Sequence, residues 1–300
     1  MGTYYDDKTI LFLNGEYIKA ADAKMDLYSQ SLHYGYSVFE GIRSYKTENG
    51  DTKIFKAADH FTRLKNSALA LNLPWHWSTE ELIDATYEVL EKNNLQDAYI
   101  RPVVFAPENM SFIQNAESFI TIQAWEMQPF LGEKLLKVMT SSFQRPNPKA
   151  FVMQAKAAGH YVNSILASQE AKSKGFDEAL LTDMNGNVAE GPGANMFYEK
   201  DGCLFTPAAG HILTGITRAT VFEICAELDI PVKEKIITTE ELRNADAAFF
   251  CGTAAEIIGW ESYDDIQFEM EWSNSVGKLI QEAYMHKVIE KEFKQILEIV

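Results

Sequence analysis

Residues 177–207 read DEALLTDMNGNVAEGPGANMFYEKDGCLFTP. Asn185-Gly186, the Gly191-Pro192-Gly193 cluster and Asp201-Gly202 are three turn signals set between short apolar runs. The pattern predicts a meander of short strands, so the second half of the chain is expected to be rich in β structure.

Reading outward, LKVMTSSF (136–143) predicts a strand and NSILASQEAKSKG (163–175) a helix. GITRATVFEICAEL (215–228) predicts a helix whose start is marked by Gly215. Strands return in DAAFFCGTAAEIIGW (246–260), and a long helix is expected from about Ser273. Nearer the N-terminus, ILFLNGEYI (10–18) places Asn14-Gly15 between two apolar runs, a strong hairpin signal. SVFEGIRSYK (37–46) reads as a further strand region. Two helices follow. DHFTRLKNSALAL (59–71) spaces Phe61, Leu64, Ala68 and Leu71 helically, and STEELIDATYEVLEKNN (78–94) opens with Ser78 and Glu81 as a capping box. AYIRPVVFA (98–106) and SFITIQAW (118–125) read as strands. Pro129 and Gly132 in MQPFLGEK break the pattern. The expected architecture is α+β in two domains: a small α/β domain over 1–127, a connecting loop at 128–134, and a larger strand-rich domain with helices over 135–300.

The chain has 300 residues, enough for one large or two packed domains. Its formal charge of -16 argues against nucleic acid or an anionic membrane as partner, since both need a basic face. No apolar run approaches the ~20 residues of a membrane span. MGTYYDDKTI has no basic region leading into an apolar one, so no secretory signal is expected. The three cysteines, Cys203, Cys225 and Cys251, are odd in number and widely spaced, which suits a reducing cytosol. The six histidines show no metal-ligand spacing, and no metal is expected.

Two stretches could cradle an anion. LTGITRA puts a glycine and a threonine at a helix start, where backbone N–H groups lack partners; the plainer reading is that Thr217 caps the helix. CGTAAE offers a second Gly-Thr at a strand-to-turn junction. EGPGAN lacks the third glycine of a dinucleotide loop, and Glu190 precedes its turn, as a solvated carboxylate or as one facing tight backbone. AYIRP alternates Tyr99 and Arg101 onto one strand face, where the arginine is either a surface residue or a clamp for a carboxylate. QAKAAGHYVNS (154–164) sets Lys156 among small residues, as a surface lysine or a nucleophilic amine. Cys251 beside Gly252 reads as a buried structural cysteine.

LHYGYSVFEGIR, HFTRLKNSA, KNNLQDAYIRP, AKAAGHYVNS, DEALLTDMNGNVAEGPGANMF, LTGITR and CGTAAEI, in this order, resemble the branched-chain aminotransferases. These belong to the D-amino-acid-aminotransferase-like, fold type IV, pyridoxal-phosphate enzymes. The resemblance implies that Lys156 holds the cofactor aldehyde as an internal Schiff base and serves as general base. It implies that Glu190 pairs with the pyridinium nitrogen, Tyr161 bonds the ring hydroxyl oxygen and Leu213 packs on the ring face. Arg63, the Ile216 amide, Thr217 and Thr253 would hold the phosphate. The Thr253-Ala254-Ala255 turn and Tyr99 would receive the substrate α-carboxylate. Phe39 and Phe130 would line the apolar pocket, and Arg101 would engage the distal carboxylate of glutamate or 2-oxoglutarate, with Tyr34 or Glu40 as its polar neighbours at other times. Tyr34 would reach the partner subunit's site, implying a homodimer with sites at the interface and room for a higher homo-oligomer.

The activity so implied is reversible, ping-pong transamination of L-leucine, L-isoleucine and L-valine with 2-oxoglutarate in the cytoplasm. Departures from the family pattern are Ala158-Gly159-His160 after the lysine, Phe130 for a tyrosine, Thr214 for a proline and Ala194 for a glutamate. Rival readings are a D-amino-acid aminotransferase or aminodeoxychorismate lyase on the same fold, and a non-catalytic pyridoxal-phosphate binder. Tyr99-Ile100-Arg101 argues against the D-specific pattern, which expects Arg-x-His on that strand.

Overall fold

The computed structural model of the chain describes residues 4–127 and 134–291. It divides into two compact units, Met1–Gln128 with Ala155–Gly159, and Pro129–Gln154 with His160–Val300. The expected connecting loop therefore lies, except for Lys134, outside the described residues.

In the first unit, β1 (Ile10–Leu13) and β2 (Glu16–Lys19) form the expected hairpin. Asn14 and Gly15 take φ values of 50° and 94°, both positive as a tight two-residue turn requires. After α1 (Gln30–Tyr34) come β3 (Ser37–Phe39), β4 (Ile42–Lys46), β5 (Thr52–Ile54), α2 (Ala57–Ala70), α3 (Thr79–Lys92), β6 (Ala98–Phe105) and β7 (Phe119–Glu126). The sheet runs β2-β1-β7-β6-β4-β5, with β3 also on β6. The expected strand over 37–46 is thus broken at Glu40-Gly41, although both halves pair with β6. The break has a steric correlate: a Cβ on Gly41 would come within 2.0 Å of the Tyr99 hydroxyl. The α2 and α3 helices bury Phe61, Leu64, Leu82 and Val89 in a core shared with Ile42, Ile100 and Ile122. Ser78 and Glu81 close the capping box at the start of α3, satisfying two otherwise unpaired N–H groups.

The segment that carries Lys156 packs with this first unit, whereas the sequence division leaves it in the second domain. Backbone pairing explains its place. Lys156 N–H donates to Ser67 Oγ at 3.0 Å, and its carbonyl accepts from Phe39 N at 3.1 Å. Ala157 bridges Val38, and Gly159 N–H donates to the Gly35 carbonyl at 3.1 Å.

The second unit contains β8 (Leu136–Gln144), α4 (Tyr161–Ser173), β9 (Glu178–Thr182), β10 (Val188–Glu190), β11 (Asn195–Lys200) and β12 (Cys203–Pro207). It continues with α5 (Ile216–Glu227), β13 (Val232–Lys235), α6 (Thr239–Arg243), β14 (Ala247–Gly252), β15 (Glu256–Tyr263), β16 (Ile266–Gln267) and α7 (Val276–Val288). Its sheet runs β10-β9-β8-β15-β14-β11-β12-β13, with β16 on β15. The meander expected over 177–207 is therefore two hairpins rather than one run. Gly191 N–H closes a turn onto the Ala194 carbonyl at 2.8 Å, and β11 then pairs with β12 and β14 instead of β10. The last helix starts at Val276, capped by Ser275, after a 3₁₀ turn at Trp272–Asn274.

Gly35 has a φ of +64°, and a Cβ there would lie 2.8 Å from the Cα of Gly159. Gly35→Ala is expected to lower stability by about 1–3 kcal/mol, through left-handed backbone strain plus a backbone clash that cannot be relieved by a rotamer change. Gly15→Ala, also at positive φ but with nothing within 4 Å of the added Cβ, should cost only the backbone part, about 1 kcal/mol. Urea denaturation of the two variants measures the difference.

Candidate active site

In the first unit the site residues gather around the broken strand β3–β4 and one face of α2. Phe39, the last residue of β3, has the Lys156 ammonium 5.2 Å from its ring centroid and the Arg101 guanidinium carbon 4.5 Å from it. Arg101 Nη2 donates to the Tyr99 hydroxyl at 2.8 Å, because alternate residues of β6 share a face. The two polar neighbours expected for Arg101 are engaged elsewhere. Tyr34, on α1, donates its hydroxyl to the Met110 carbonyl at 3.2 Å. Glu40, wholly buried, takes the Arg63 guanidinium in two parallel bonds, Nε to Oε1 at 2.7 Å and Nη2 to Oε2 at 2.8 Å. His60 Nδ1 lies 2.8 Å from the same Oε2.

The electrostatics of this cluster follow from burial. Desolvation disfavours charge on Glu40, but the attraction and hydrogen bonds of Arg63, with His60, outweigh it and hold the carboxyl well below the usual range. His60 is pushed the other way. Desolvation lowers its pKa, the hydrogen bond and attraction from Glu40 oppose this, and the charges of Arg63 and Lys156 reinforce it. A neutral imidazole donating Nδ1–H to Glu40 satisfies the geometry. The sequence reading missed His60 and Ser67 as members of this group. Their spacing with Arg63 (i, i+3, i+7) is legible as one helix face, yet nothing in the residues alone says that Glu40 meets it.

In the second unit the centre is Glu190 at the end of β10, 5% exposed. The solvated reading of this carboxylate does not hold. Leu213 N–H lies 3.1 and 3.2 Å from its two oxygens, Asn195 Nδ2 donates to Oε2 at 3.1 Å, and Arg145 Nε approaches Oε1 to 2.9 Å. Asn195 also donates to the Leu213 carbonyl at 2.8 Å, so one side chain fixes the loop ahead of α5 to the turn after β10. Arg145 and Asn195 were not singled out from sequence. Each lies beside a proline or glycine turn, which places a chain bend but names no partner.

Gly215, not Thr217, is the N-cap of α5, with no side-chain bond to the helix N–H groups. Thr217 sits in the first turn and is buried. A Cβ on Gly215 would stand 2.1 Å from Asn195 Oδ1, so glycine lets Asn195 keep its bonds to Glu190 and the Leu213 carbonyl. Ile216 and Thr217 begin a twelve-residue helix whose first amides receive no bond from the N-cap side chain, the kind of helix start that suits an anion. Thr253-Ala254-Ala255 form the turn between β14 and β15, as expected, and Gly252 packs 3.2 Å (as an added Cβ) from the Gly193 carbonyl. Tyr161 opens α4, half-buried. Cys251 is buried, its thiol pushed up by desolvation, which suits a structural residue and not a nucleophile. Phe130 lies outside the described residues.

The donors in each unit fit pyridoxal phosphate. The first unit offers an amine on a backbone-pinned segment and an arginine suited to a dianion; the second offers a buried carboxylate suited to a cationic ring nitrogen and a helix start with no side-chain cap.

The comparisons agree. The model for the amino-transferase class IV family matches residues 37–263. The chain is 39% identical over 292 residues to the branched-chain-amino-acid aminotransferase of Pseudomonas aeruginosa, covering 95% of each. It superposes on the crystal structure of the Escherichia coli branched-chain amino acid aminotransferase with a TM-score of 0.91 at 38% identity, covering 96% of this chain and 97% of that one. The enzyme of the same name from Thermobaculum terrenum, in its PLP-bound holo-form, gives a TM-score of 0.90 at 30% identity, with 97% of each chain covered. With an α+β fold of two units, a matching family model over most of its length and relatives this similar, the chain belongs to the amino-transferase class IV family of fold type IV pyridoxal-phosphate enzymes.

Proposed function

We propose that the protein transaminates L-leucine, L-isoleucine and L-valine with 2-oxoglutarate, reversibly and by a ping-pong course, giving branched 2-oxo acids and L-glutamate. Relatives 39% identical to this chain are named branched-chain-amino-acid aminotransferases, which supports the reading. The observation that carries the substrate reading is the stacking of Arg101 on Phe39, held by the Tyr99 hydroxyl. A pocket that alternately takes an isobutyl group and a carboxylate needs an apolar wall and a cation side by side. It also needs partners for that cation when the carboxylate is absent. The ring face and the hydroxyl supply them.

Bound pyridoxal phosphate supplies an aldehyde that receives the amino group and a protonated ring that draws negative charge from the substrate Cα. Lys156 would hold the cofactor through its aldehyde and, as a free amine, would carry the proton from the substrate Cα to the former aldehyde carbon. Its main chain, bonded to Ser67 and Phe39 on either side, places the root of the side chain. Glu190 pairs with the ring nitrogen, and Arg145, Asn195 and the Leu213 amide keep its carboxylate from turning. Tyr161 binds the ring hydroxyl oxygen and Leu213 packs on the ring. Arg63, the Ile216 amide, Thr217 and Thr253 hold the phosphate. The amides of Thr253, Ala254 and Ala255, with Tyr99, take the α-carboxylate, while Arg101 takes the distal one. Phe39 lines the apolar side.

The working form is a homodimer in the cytosol, to which Tyr34 contributes across the interface. Support comes from large apolar side chains left exposed in each unit: Tyr34, Phe112 and Ile113 in the first, Val162, Ile165 and Leu166 in the second. Among the described residues no helix is long and apolar enough to cross a membrane. The cysteines are free thiols, as a reducing compartment keeps them.

L-Leucine added without acceptor should convert the visible spectrum of the purified holoenzyme to the pyridoxamine phosphate form, and 2-oxoglutarate should restore it. A spectrum that ignores L-leucine but answers to D-alanine would overturn the substrate reading. Lys156→Ala should lower turnover by about 10²–10⁴-fold or more while the cofactor is still bound. Arg101→Leu should raise KM for 2-oxoglutarate about 10–100-fold, the worth of a charge-assisted hydrogen bond, and leave KM for L-leucine within a few-fold; steady-state kinetics with each substrate varied in turn checks it.

A further inference from the structure

Glu40 and His60 have no part in the chemistry above, yet they are among the most deeply buried polar groups of the first unit. Glu40 is 0% exposed and its two oxygens are heavily subscribed. Oε1 receives Arg63 Nε, while Oε2 receives Arg63 Nη2, His60 Nδ1 and, at 3.3 Å, the Gly41 amide. Glu40 thus takes one edge of the guanidinium, the Nε/Nη2 side. An arginine has five N–H donors in a rigid plane, so fixing two of them fixes the direction of the other three.

We propose that Glu40, braced by His60, is a positioning residue that orients Arg63 for the cofactor phosphate. The proposal rests on the reading of Arg63 as a phosphate ligand. Arg63 is on an α2 face with 15% of its side chain exposed, and an unrestrained arginine there would sample several rotamers. The side-on grip of Glu40 removes that freedom before the phosphate arrives, which is preorganisation. His60 suits the brace because it adds a hydrogen bond at 2.8 Å without adding charge, its neutral form being favoured by desolvation. It comes from the same helix as Arg63, one turn earlier, so one helix face presents both groups to Glu40.

Two effects of Glu40 on a bound dianion oppose each other. As an anion it repels the phosphate; as a clasp it presets the arginine. Glu40 is closely paired with Arg63, so its field at the phosphate is largely that of a neutral pair, and orientation should dominate. Removing the charge alone would tighten cofactor binding, and losing the clasp would loosen it. The sign of the change therefore discriminates between the two roles.

The test measures the dissociation constant of pyridoxal phosphate for the apoenzyme by equilibrium dialysis, with thermal unfolding of each apoprotein as a control. The variants are Glu40→Gln, His60→Asn, Arg63→Gln and the double Glu40→Gln/Arg63→Gln. The ³¹P resonance of the bound cofactor is recorded for each. Glu40→Gln should weaken binding about tenfold, the cost of immobilising one long side chain, and shift the phosphate resonance. His60→Asn should do so less, and should serve if Glu40→Gln does not fold. Adding Glu40→Gln to Arg63→Gln should weaken binding no further, since the effect acts through the arginine. Unchanged or tighter binding in Glu40→Gln, or the same loss in the Arg63→Gln background, would overturn the proposal and leave Glu40 a structural residue. Wild-type affinity in Arg63→Gln is a separate result, which would remove the phosphate role of Arg63 itself and the proposal with it.

Discussion

A carboxylate with no exposed surface is the constraint around which the first unit is organised. Glu40 has lost its water, and only the fork of Arg63 with the imidazole of His60 makes its charge tolerable. Those partners lie one turn apart on α2, so the pairing ties the end of β3 to the helix. The break in the strand at Glu40-Gly41 then has a reason beyond the ladder. Glu40 turns its side chain to the helix, while Gly41 leaves room for the Tyr99 hydroxyl that holds Arg101. One local irregularity therefore sets both the arginine of α2 and the arginine of β6.

Lys156 is fixed in a different way, through its main chain. Its backbone is bonded on both sides, to Ser67 Oγ and to the Phe39 amide, and Ala157 and Gly159 continue the pairing along Val38 and Gly35. The small residues around it are what allow this close backbone approach. A Cβ on Gly35 would collide with the Cα of Gly159, and neighbouring alanines are the largest side chains buried at 155 and 157. In the second unit Glu190 is fixed through its side chain instead: its carboxylate accepts from a backbone amide and a side-chain amide, with the Arg145 guanidinium paired at 2.9 Å.

Much of this was legible in the residues. The Asn14-Gly15 hairpin, the Ser78–Glu81 capping box, the Phe61–Leu64–Ala68 face and the strand pair over 98–126 are local devices, each encoded within a few positions, and each is present. The Tyr99–Arg101 face followed from the two-residue period of a strand, and the helix start at Gly215 from its glycine. The motif order identified the family, because spacing among many weak signals is far more specific than any one of them.

What the sequence could not supply is pairing between distant segments. The 177–207 stretch announced its turns correctly, but a turn signal does not say which strand edge comes next, and β11 found β14 some fifty residues on. Likewise, Glu40 and Tyr34 were plausible partners for Arg101 by proximity in the motif, yet Glu40 is drawn to Arg63 and Tyr34 to the Met110 carbonyl. Arg145 and Asn195 became visible only through Glu190. Local structure is decided by the conformational preferences of a few adjacent residues, which a sequence states openly. Which buried charge meets which counter-charge is decided by competition among groups far apart in the chain, and only the folded structure settles it.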